Sequence, residues 1–177
     1  MLSDSKVKLD NQYRTNKTVA VLGCGVIGCS WAKLFLAHGY TVQVWDPAPN
    51  LHSRLLKYFG DDLYQRLILS DSSVKAVSGA FFVQESGPEC PHKKHALYQG
   101  ITPAIDKDCI VASSTSTIQP SFLQRDIDFA DRVLVGHPFN PPHLLPLVEV
   151  IGGELTSPET VSKALGFYRS LNKTAIH

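Results

Sequence analysis

The stretch from Thr18 to Asp46, TVAVLGCGVIGCSWAKLFLAHGYTVQVWD, decides the fold of this chain. It begins with a short apolar run, continues through a turn with glycines at positions 23, 25 and 28, and then carries apolar residues at helical spacing. The residues from Thr41 to Trp45 are mostly β-branched or aromatic, as in a second strand. The stretch therefore predicts a strand, a tight glycine turn, a helix and a second strand that ends at an acidic residue.

Each glycine of the turn has its own physical role. Gly23 permits the tight turn that leaves the strand, and Gly25 has no side chain to keep a phosphate away from the backbone. Gly28 allows the helix to pack closely against the sheet. The first amide groups of the helix, including those of Val26 and Ile27, have no partner inside the helix and can bind an anion. This G-x-G-x-x-G spacing in a strand–turn–helix context predicts a dinucleotide-binding site.

The acidic residue at the end of the second strand selects the dinucleotide. Asp46 lies 18 residues after Gly28, close to the spacing expected of a ribose-binding acid. Its carboxylate would accept hydrogen bonds from both hydroxyls of the adenosine ribose. Its negative charge would also repel a 2′-phosphate, so the sequence predicts NAD rather than NADP as the cofactor.

Composition limits the class of protein. The chain has 177 residues, of which 44% are hydrophobic and 19% charged, and its net charge is +1. This is typical of a globular domain, and the small net charge gives no electrostatic basis for binding nucleic acid or a membrane surface. No apolar stretch is long enough for a transmembrane helix. The polar residues 1–17 are expected to form a loose leader, ahead of one dinucleotide-binding domain at 18–177.

The cysteine pattern bears on metal binding and on location. The four cysteines, Cys24, Cys29, Cys90 and Cys109, form no C-x-x-C pair. We therefore expect no disulfide framework and no metal site. Unpaired thiols favour a reducing compartment, and because residues 1–17 do not resemble a secretory signal, the expected location is the cytoplasm.

Beyond Asp46 the apolar pattern alternates between strands and helices. Strands are expected at 67–69, 81–84, 109–112, 132–136 and, as the last strand, 147–151. Helices are expected at 51–67, 72–80, 92–105 with an interruption at Pro103, 118–123, and 158–170 with Ser157 as its N-cap. This alternation predicts an α/β fold, a Rossmann-type doubly wound and mostly parallel sheet with helices on both faces.

A second group of polar residues lies near the carboxyl ends of the later strands, where open α/β sheets bind their ligands. His137 follows a buried strand and precedes a rigid Pro-Phe-Asn-Pro-Pro segment. Glu149 comes 12 residues later, inside an otherwise apolar strand. A carboxylate in such a strand needs a partner, because an unpaired buried charge is costly. The imidazole of His137 is the expected partner.

Three segments carry a family resemblance: FVQESGPE at 82–89, VASSTSTIQPS at 111–121 and GHPFNPPHLLPLVEVIGG at 136–153. With the glycine turn upstream, they resemble the NAD-binding domain of the L-3-hydroxyacyl-CoA dehydrogenase family. Within that family the chain is most similar to the branch that holds L-carnitine dehydrogenase and the lambda-crystallin/L-gulonate 3-dehydrogenase proteins. The resemblance covers most of residues 18–177.

The resemblance implies roles for seven residues. His137 would be the general base that removes the proton of a 3-hydroxyl group, and Glu149 would orient it and stabilise its protonated form. The other five match family positions near the substrate oxygen or the nicotinamide ribose: Asn140, Ser116, Ser86, Glu89 and Lys94. For Ser116, capping of a turn is an alternative, and Lys94 could be an ordinary surface lysine.

The resemblance also implies parts that this sequence does not show. The family carries a second, all-helical domain, which forms the homodimer interface and much of the substrate pocket. The chain ends near the point where that domain would begin, so the domain is expected to be absent and the chain to be an excised domain or a truncated product. The stretch between Asp46 and Phe81 also looks short, which predicts a trimmed or missing helix there.

The leading functional hypothesis is NAD-dependent oxidation of a 3-hydroxy group to the 3-keto form. The substrate would be a 3-hydroxyacyl-CoA or a small 3-hydroxy acid such as L-carnitine. One alternative is a 6-phosphogluconate-type β-hydroxyacid dehydrogenase, although that family lacks a histidine paired with a glutamate at these positions. Another alternative, from a different class, is a truncated NAD-binding protein with no catalytic activity.

Overall fold

The computed structural model describes residues 17–177, so the expected leader lies outside the described residues except for Lys17. Within this range eight strands form one sheet in the order β3-β2-β1-β4-β5-β6-β7-β8. The strands are β1 (Thr18–Leu22), β2 (Thr41–Trp45), β3 (Leu67–Leu69), β4 (Ala80–Glu85), β5 (Ile110–Ser113), β6 (Val133–Pro138), β7 (Leu147–Gly152) and β8 (Thr174–Ile176). The helices are α1 (Val26–Ala37), α2 (Leu51–Tyr64), α3 (Ser73–Val77), α4 (Pro91–Ile101), α5 (Pro120–Leu123) and α6 (Pro158–Ser170). The predicted Rossmann-type sheet is confirmed.

The central strands are buried on both faces, which explains their continuous apolar runs. In β1, Val19 and Val21 point into a core cluster that includes Trp31 of α1 and residues of α6. Ala20 and Leu22 point into a second cluster, which contains residues of α3, α4 and α5. Helices therefore cover both faces of the sheet, as the sequence predicts.

The last two strands depart from the parallel pattern. Strands β1 to β6 are parallel to one another, whereas β7 pairs antiparallel with β6 and β8 pairs parallel with β7. The expectation that 147–151 is the last strand is wrong, because Thr174–Ile176 adds one more. Only the middle residue, Ala175, is buried there, and three residues carry no periodic signal. Pairing with β7 is what makes this segment a strand.

The short stretch between Asp46 and Phe81 leaves the sheet intact, because β3 forms and pairs with β2 along Val42–Val44. The predicted helix over 51–67 is shorter than expected. It ends at Tyr64 and is broken at Gly60, whose φ of 71° and ψ of 169° are not helical. Glycine adopts this positive φ without a steric penalty. The spacing of apolar residues continues on both sides of Gly60, so the spacing alone does not predict the break.

Two helix boundaries follow from local chemistry. The hydroxyl of Ser157 accepts the Thr160 N–H at 3.1 Å, which confirms the predicted N-cap of α6. Helix α4 ends at Ile101, and a 3₁₀ turn that contains Pro103 follows it, as the proline predicts. None of the helices within residues 17–177 is long and apolar enough to cross a membrane.

A buried hydrogen-bond network joins the sheet to its helices. The hydroxyl of Tyr168 on α6 donates to Oε1 of Gln84 on β4 at 2.7 Å. The Gln84 amide in turn donates to the Ser114 hydroxyl at 2.9 Å and to the Gly136 carbonyl at 3.4 Å. A Cβ at position 136 would lie 2.0 Å from the Tyr168 hydroxyl, so only glycine fits there. The network fixes α6 against the centre of the sheet.

We predict that Tyr168→Phe destabilises the chain by about 1–3 kcal/mol, because it leaves the buried Gln84 carbonyl without a donor. The change in the free energy of unfolding is measured by urea denaturation. Tyr64→Phe is the matched control, since the Tyr64 hydroxyl bonds His52 near the surface and its loss should cost no more than about 0.5 kcal/mol. Equal effects of the two substitutions would contradict the prediction.

Candidate functional site

The three glycines of the turn occupy three different environments. Gly23 has a φ of +91°, and a Cβ there would lie 2.7 Å from the backbone of Ser86 and Gly87. A Cβ on Gly28 would lie 1.8 Å from the Gly23 carbonyl oxygen. Gly25 has nothing within 4 Å of the same position. Two glycines therefore permit close packing, and the third borders open space at the start of α1.

That open space has the properties of an anion site. Gly25 is the N-cap of α1 and provides no side-chain acceptor, so the first amide groups of the helix keep no capping partner. Val26 is 75% exposed, whereas Ile27 packs against the core. Burial raises the pKa of the Cys29 thiol to about 11, so this neighbour stays neutral and does not repel an anion. The turn therefore fits the pyrophosphate of a dinucleotide.

Asp46 lies at the edge of a wide cleft. Its Oδ2 accepts the Cys24 N–H at 2.6 Å, and its Oδ1 accepts the Ala48 N–H at 2.8 Å. The Arg54 guanidinium lies 3.3 Å from the same Oδ1. The cleft measures about 750 Å³ and is lined by Gly23, Gly25, Trp45, Asp46, Pro47, Ala48, Arg54, Ser86, Gly87, Pro88, Lys93, Ala96 and Leu97. It therefore joins the glycine turn, the end of β2 and the loop after β4.

The loop after β4 is held by a buried carboxylate. Glu85 is completely buried and pairs with the Lys94 ammonium at 2.7 and 2.8 Å. It also accepts the Gly87 N–H at 2.6 Å and the Ser113 hydroxyl at 2.6 Å. Lys94 is only 2% exposed, so it is not the surface lysine that was left open as an alternative. Its ammonium contacts Glu85 and the Gly87 carbonyl, and it is absent from the lining of the cleft.

Glu85 is not among the site residues predicted from the sequence, although a signal was present. A carboxylate at the end of an apolar strand, with a lysine nine residues later on the next helix, is the pattern of a buried pair. Arg54 was also missed, because nothing in the apolar spacing of α2 distinguishes its first turn from any exposed helix surface.

The donors around Ser114 determine the direction of the Ser86 hydroxyl. Ser114 Oγ accepts the Trp31 indole N–H at 3.3 Å and the Gln84 amide at 2.9 Å. A serine hydroxyl has two acceptor sites and one proton, so Ser114 must donate to Ser86 Oγ, 2.9 Å away. Ser86 then accepts that bond and keeps its own proton to donate. Ser86 lines the cleft, and its O–H is therefore available to a ligand there.

Glu89 organises the loop after β5. Its Oε1 accepts four hydrogen bonds, from the side chains of Thr115 and Thr117 at 2.5 and 2.9 Å and from the amides of Ser116 and Thr117 at 3.0 Å each. Partial desolvation raises the pKa of Glu89, but these bonds outweigh it and hold that pKa below its usual value. All four bonds go to one oxygen, which leaves Oε2 able to accept from a ligand.

His137 stands between a carboxylate and a hydroxyl. Its Nδ1 lies 2.8 Å from Glu149 Oε2, and its Nε2 lies 3.2 Å from Ser116 Oγ. The two residues face each other across the antiparallel β6–β7 pair, in which His137 is directly opposite Glu149. The expected contact between them is present. The premise that Glu149 is buried is wrong, because its side chain is 38% exposed and that of His137 is 24% exposed.

The segment between β6 and β7 is held from two sides. The Ser30 hydroxyl of α1 accepts the His143 N–H at 3.0 Å and contacts His143 Nδ1 at 2.7 Å. The buried Lys173 ammonium donates to the carbonyls of Pro142 and Leu145. Asn140 lies in the same segment, with its side chain exposed beside the His137 end of β6. Sequence analysis gave His143 no role, and the structure shows that it holds this segment.

The sequence model of a family described as 3-hydroxyacyl-CoA dehydrogenase, NAD binding domain, matches residues 18–67 and 52–177. L-carnitine dehydrogenase of Pseudomonas sp is 40% identical over 174 residues, which are 91% of this chain and 54% of that protein. A 3-hydroxyacyl-CoA dehydrogenase of Gibberella moniliformis is 40% identical over 173 residues, 90% of this chain and 54% of that protein. The chain therefore spans about half the length of the curated relatives that it matches.

Two solved structures are similar in fold. One is 5-formyl-3-hydroxy-2-methylpyridine 4-carboxylic acid 5-dehydrogenase, described as an NAD+ dependent dismutase. It has 32% identity and a TM-score of 0.80, over 92% of this chain and 57% of that one. The other is 3-hydroxybutyryl-CoA dehydrogenase of Escherichia coli K12, with 24% identity and a TM-score of 0.84, over 92% of this chain and 38% of that one. The second similarity shows the fold alone.

We predict that Lys94→Met destabilises the chain by about 3–5 kcal/mol, because it leaves the Glu85 carboxylate buried without its counter-charge. Urea denaturation measures the loss. Lys93→Met is the matched control, since Lys93 is exposed on the same helix and should change the free energy of unfolding by no more than about 0.5 kcal/mol. The double variant Glu85→Gln/Lys94→Met should recover part of the loss. A Lys94→Met chain as stable as the control would refute the prediction.

Proposed function

The chain belongs to the 3-hydroxyacyl-CoA dehydrogenase family through its NAD-binding domain, and from this premise we propose that it acts in the NAD-dependent oxidation of a 3-hydroxy group to the 3-keto form. The single observation that carries the proposal is the row formed by Ser116, His137 and Glu149, with a base held between a hydroxyl and a carboxylate. Family membership decides against the 6-phosphogluconate-type alternative.

Different walls of the cleft would bind different parts of the cofactor. Asp46 would accept the hydroxyls of the adenosine ribose, and the amides at Gly25, Val26 and Ile27 would hold the pyrophosphate. The proton that Ser86 keeps available would be donated to a cofactor oxygen. Glu89 Oε2 would accept from a hydroxyl of the nicotinamide ribose.

Lys94 is placed differently from what the resemblance implies. Its ammonium is occupied by Glu85 and by the Gly87 carbonyl. We propose that it acts on the cofactor through the loop after β4, by fixing the backbone of Gly87 at the wall of the cleft.

The bound nicotinamide supplies the acceptor for the hydride that leaves the carbinol carbon. His137 Nε2 would take the proton of the same hydroxyl group, so that one hydride and one proton leave and a carbonyl remains. Glu149 would hold Nδ1 protonated and stabilise the imidazolium that forms. Ser116 and Asn140 would bind the substrate oxygen, which places the hydroxyl proton towards Nε2.

The identity of the substrate and the contact with a partner subunit are also proposals. A 3-hydroxyacyl-CoA or a small 3-hydroxy acid such as L-carnitine fits the reaction, and the relatives at 40% identity are named for both. We propose that the half of those relatives that this chain does not match provides the remaining substrate walls and the homodimer contact. The four cysteines are unpaired thiols, three of them buried, which supports a reducing location such as the cytoplasm.

Cofactor binding is tested by energy transfer from tryptophan to NADH, because Trp45 lines the cleft. We expect saturable transfer with NADH and at least about tenfold weaker binding of NADPH, since Asp46 repels a 2′-phosphate. Gly25→Val should abolish transfer while costing no more than about 1 kcal/mol of stability for the poorer N-cap, because its side chain would extend into open space that the pyrophosphate needs. Gly100→Val, in equally open surroundings on α4, is the control. Transfer that Gly25→Val leaves unchanged would refute this cofactor site.

The catalytic role is tested on His137→Gln. We expect turnover of 3-hydroxy substrates to fall by about 10²- to 10⁴-fold with NADH binding unchanged, as the loss of a positioned general base predicts. The exposed His92→Gln serves as control and should keep full turnover. If the unaltered chain binds NADH but turns over no 3-hydroxy substrate in a panel that includes L-carnitine and 3-hydroxybutyryl-CoA, the non-catalytic alternative is favoured for this polypeptide.

A further inference from the structure

The cleft contains a cation that the NAD site does not require. Arg54 lies in the first turn of α2, and its guanidinium reaches back to Asp46, with 3.3 Å between Nη2 and Oδ1. Its side chain is 42% exposed and lines the cleft. The guanidinium therefore stands beside the carboxylate that is expected to bind the adenosine ribose.

Asp46 is well supplied with donors even without this arginine. Its two oxygens already accept the amides of Cys24 and Ala48 at 2.6 and 2.8 Å. These bonds fix the carboxylate in the turn and orient it, so the Arg54 contact is not needed to hold Asp46 in place. The contact instead affects Arg54. The carboxylate neutralises the guanidinium charge and occupies its Nη2 group, which is then not available to a ligand.

We propose that Arg54 is a specificity-determining residue of the cofactor site, kept from binding a 2′-phosphate by its ion pair with Asp46. This inference rests on the proposed binding of NAD at the cleft. With the carboxylate present, the site repels a 2′-phosphate and takes NAD. Without it, the guanidinium stands next to the ribose position with free donors in the planar arrangement that pairs with phosphate. The fold thus holds a latent NADP site.

A second cation gives the proposal a matched comparison. Lys93 also lines the cleft and carries the same charge, but it lies on α4, and its ammonium makes no ion pair with Asp46. A general increase in positive potential would act through either residue. A specific contact with the 2′-phosphate would depend on Arg54 alone.

The test measures the dissociation constants of NADH and NADPH by energy transfer from tryptophan. Four chains are compared: the unaltered chain, Asp46→Ser, Asp46→Ser/Arg54→Gln and Asp46→Ser/Lys93→Gln. Serine removes the charge and makes room, and its hydroxyl can still accept the Cys24 amide. We expect Asp46→Ser to bind NADPH about tenfold or more tightly than the unaltered chain does, the size of one charge-assisted hydrogen bond. Arg54→Gln should remove that gain, and Lys93→Gln should keep most of it.

Two outcomes would overturn the proposal. One is an Asp46→Ser/Arg54→Gln chain that binds NADPH as tightly as Asp46→Ser. The other is an Asp46→Ser chain that binds NADH but shows no gain for NADPH. Asp46→Asn, which also removes the charge and keeps an oxygen for the Cys24 amide, covers the case in which Asp46→Ser does not fold. It should show the same gain for NADPH and lose it when Arg54→Gln is added, and an Asp46→Asn chain without that gain counts against the proposal. A chain that binds NADH but lacks turnover bears only on the proposed reaction, because every measurement here is of binding.

Discussion

The Glu85 carboxylate is completely buried at the carboxyl end of β4, and its charge has to be balanced there. Lys94 supplies the counter-charge from α4, and the Gly87 amide and the Ser113 hydroxyl use the remaining acceptor sites. A buried ion pair of this kind contributes little net stability, but it is strongly destabilising when one partner is lost. Its effect is therefore to fix the path of the loop after β4, because Gly87 and Lys94 are both bonded to the same buried carboxylate.

Both functional regions depend on that path. On one side the loop brings Ser86 and Gly87 against the glycine turn, so closely that Gly23 can carry no side chain. This contact forms the wall of the cofactor cleft. On the other side the loop carries Glu89 to the end of β5, where it collects the amides and hydroxyls of residues 115–117. Ser116 is positioned by these bonds, and its hydroxyl meets His137. One buried pair thus aligns the wall of the proposed cofactor cleft with the row of Ser116, His137 and Glu149 that we propose to be catalytic.

The sequence predicts those parts of the site whose chemistry is local. The glycine turn, Asp46 and the His137–Glu149 pair follow from spacing along a strand or turn, and the structure brings each group together as expected. Lys94 was expected at the cofactor and is instead paired with Glu85, although the spacing of these two charges is itself a signal in the sequence. The role of Arg54 depends on a contact with Asp46 that only the folded chain supplies. Strand β8 and the break at Gly60 were not predicted, for two different reasons. Strand β8 forms because residues 174–176 pair with β7. The break at Gly60 comes from a positive φ, which the spacing of apolar residues does not reveal.

The same distinction applies to the strength of the proposed catalytic pair, His137 and Glu149. The β6–β7 pairing fixes the distance between Glu149 and His137. The exposure of both side chains determines how strongly the carboxylate attracts a protonated imidazole. Two unit charges at 4 Å attract by about 1 kcal/mol in bulk water and by about 4 kcal/mol at an effective dielectric constant near 20. A surface that covered the pair would raise this attraction by up to about 3 kcal/mol. It would also remove the water that solvates both charges, so only the difference between the two effects would act on the imidazolium. The residues of this chain thus set the position of the proposed pair, and the exposure of its His137 face sets the strength of the interaction.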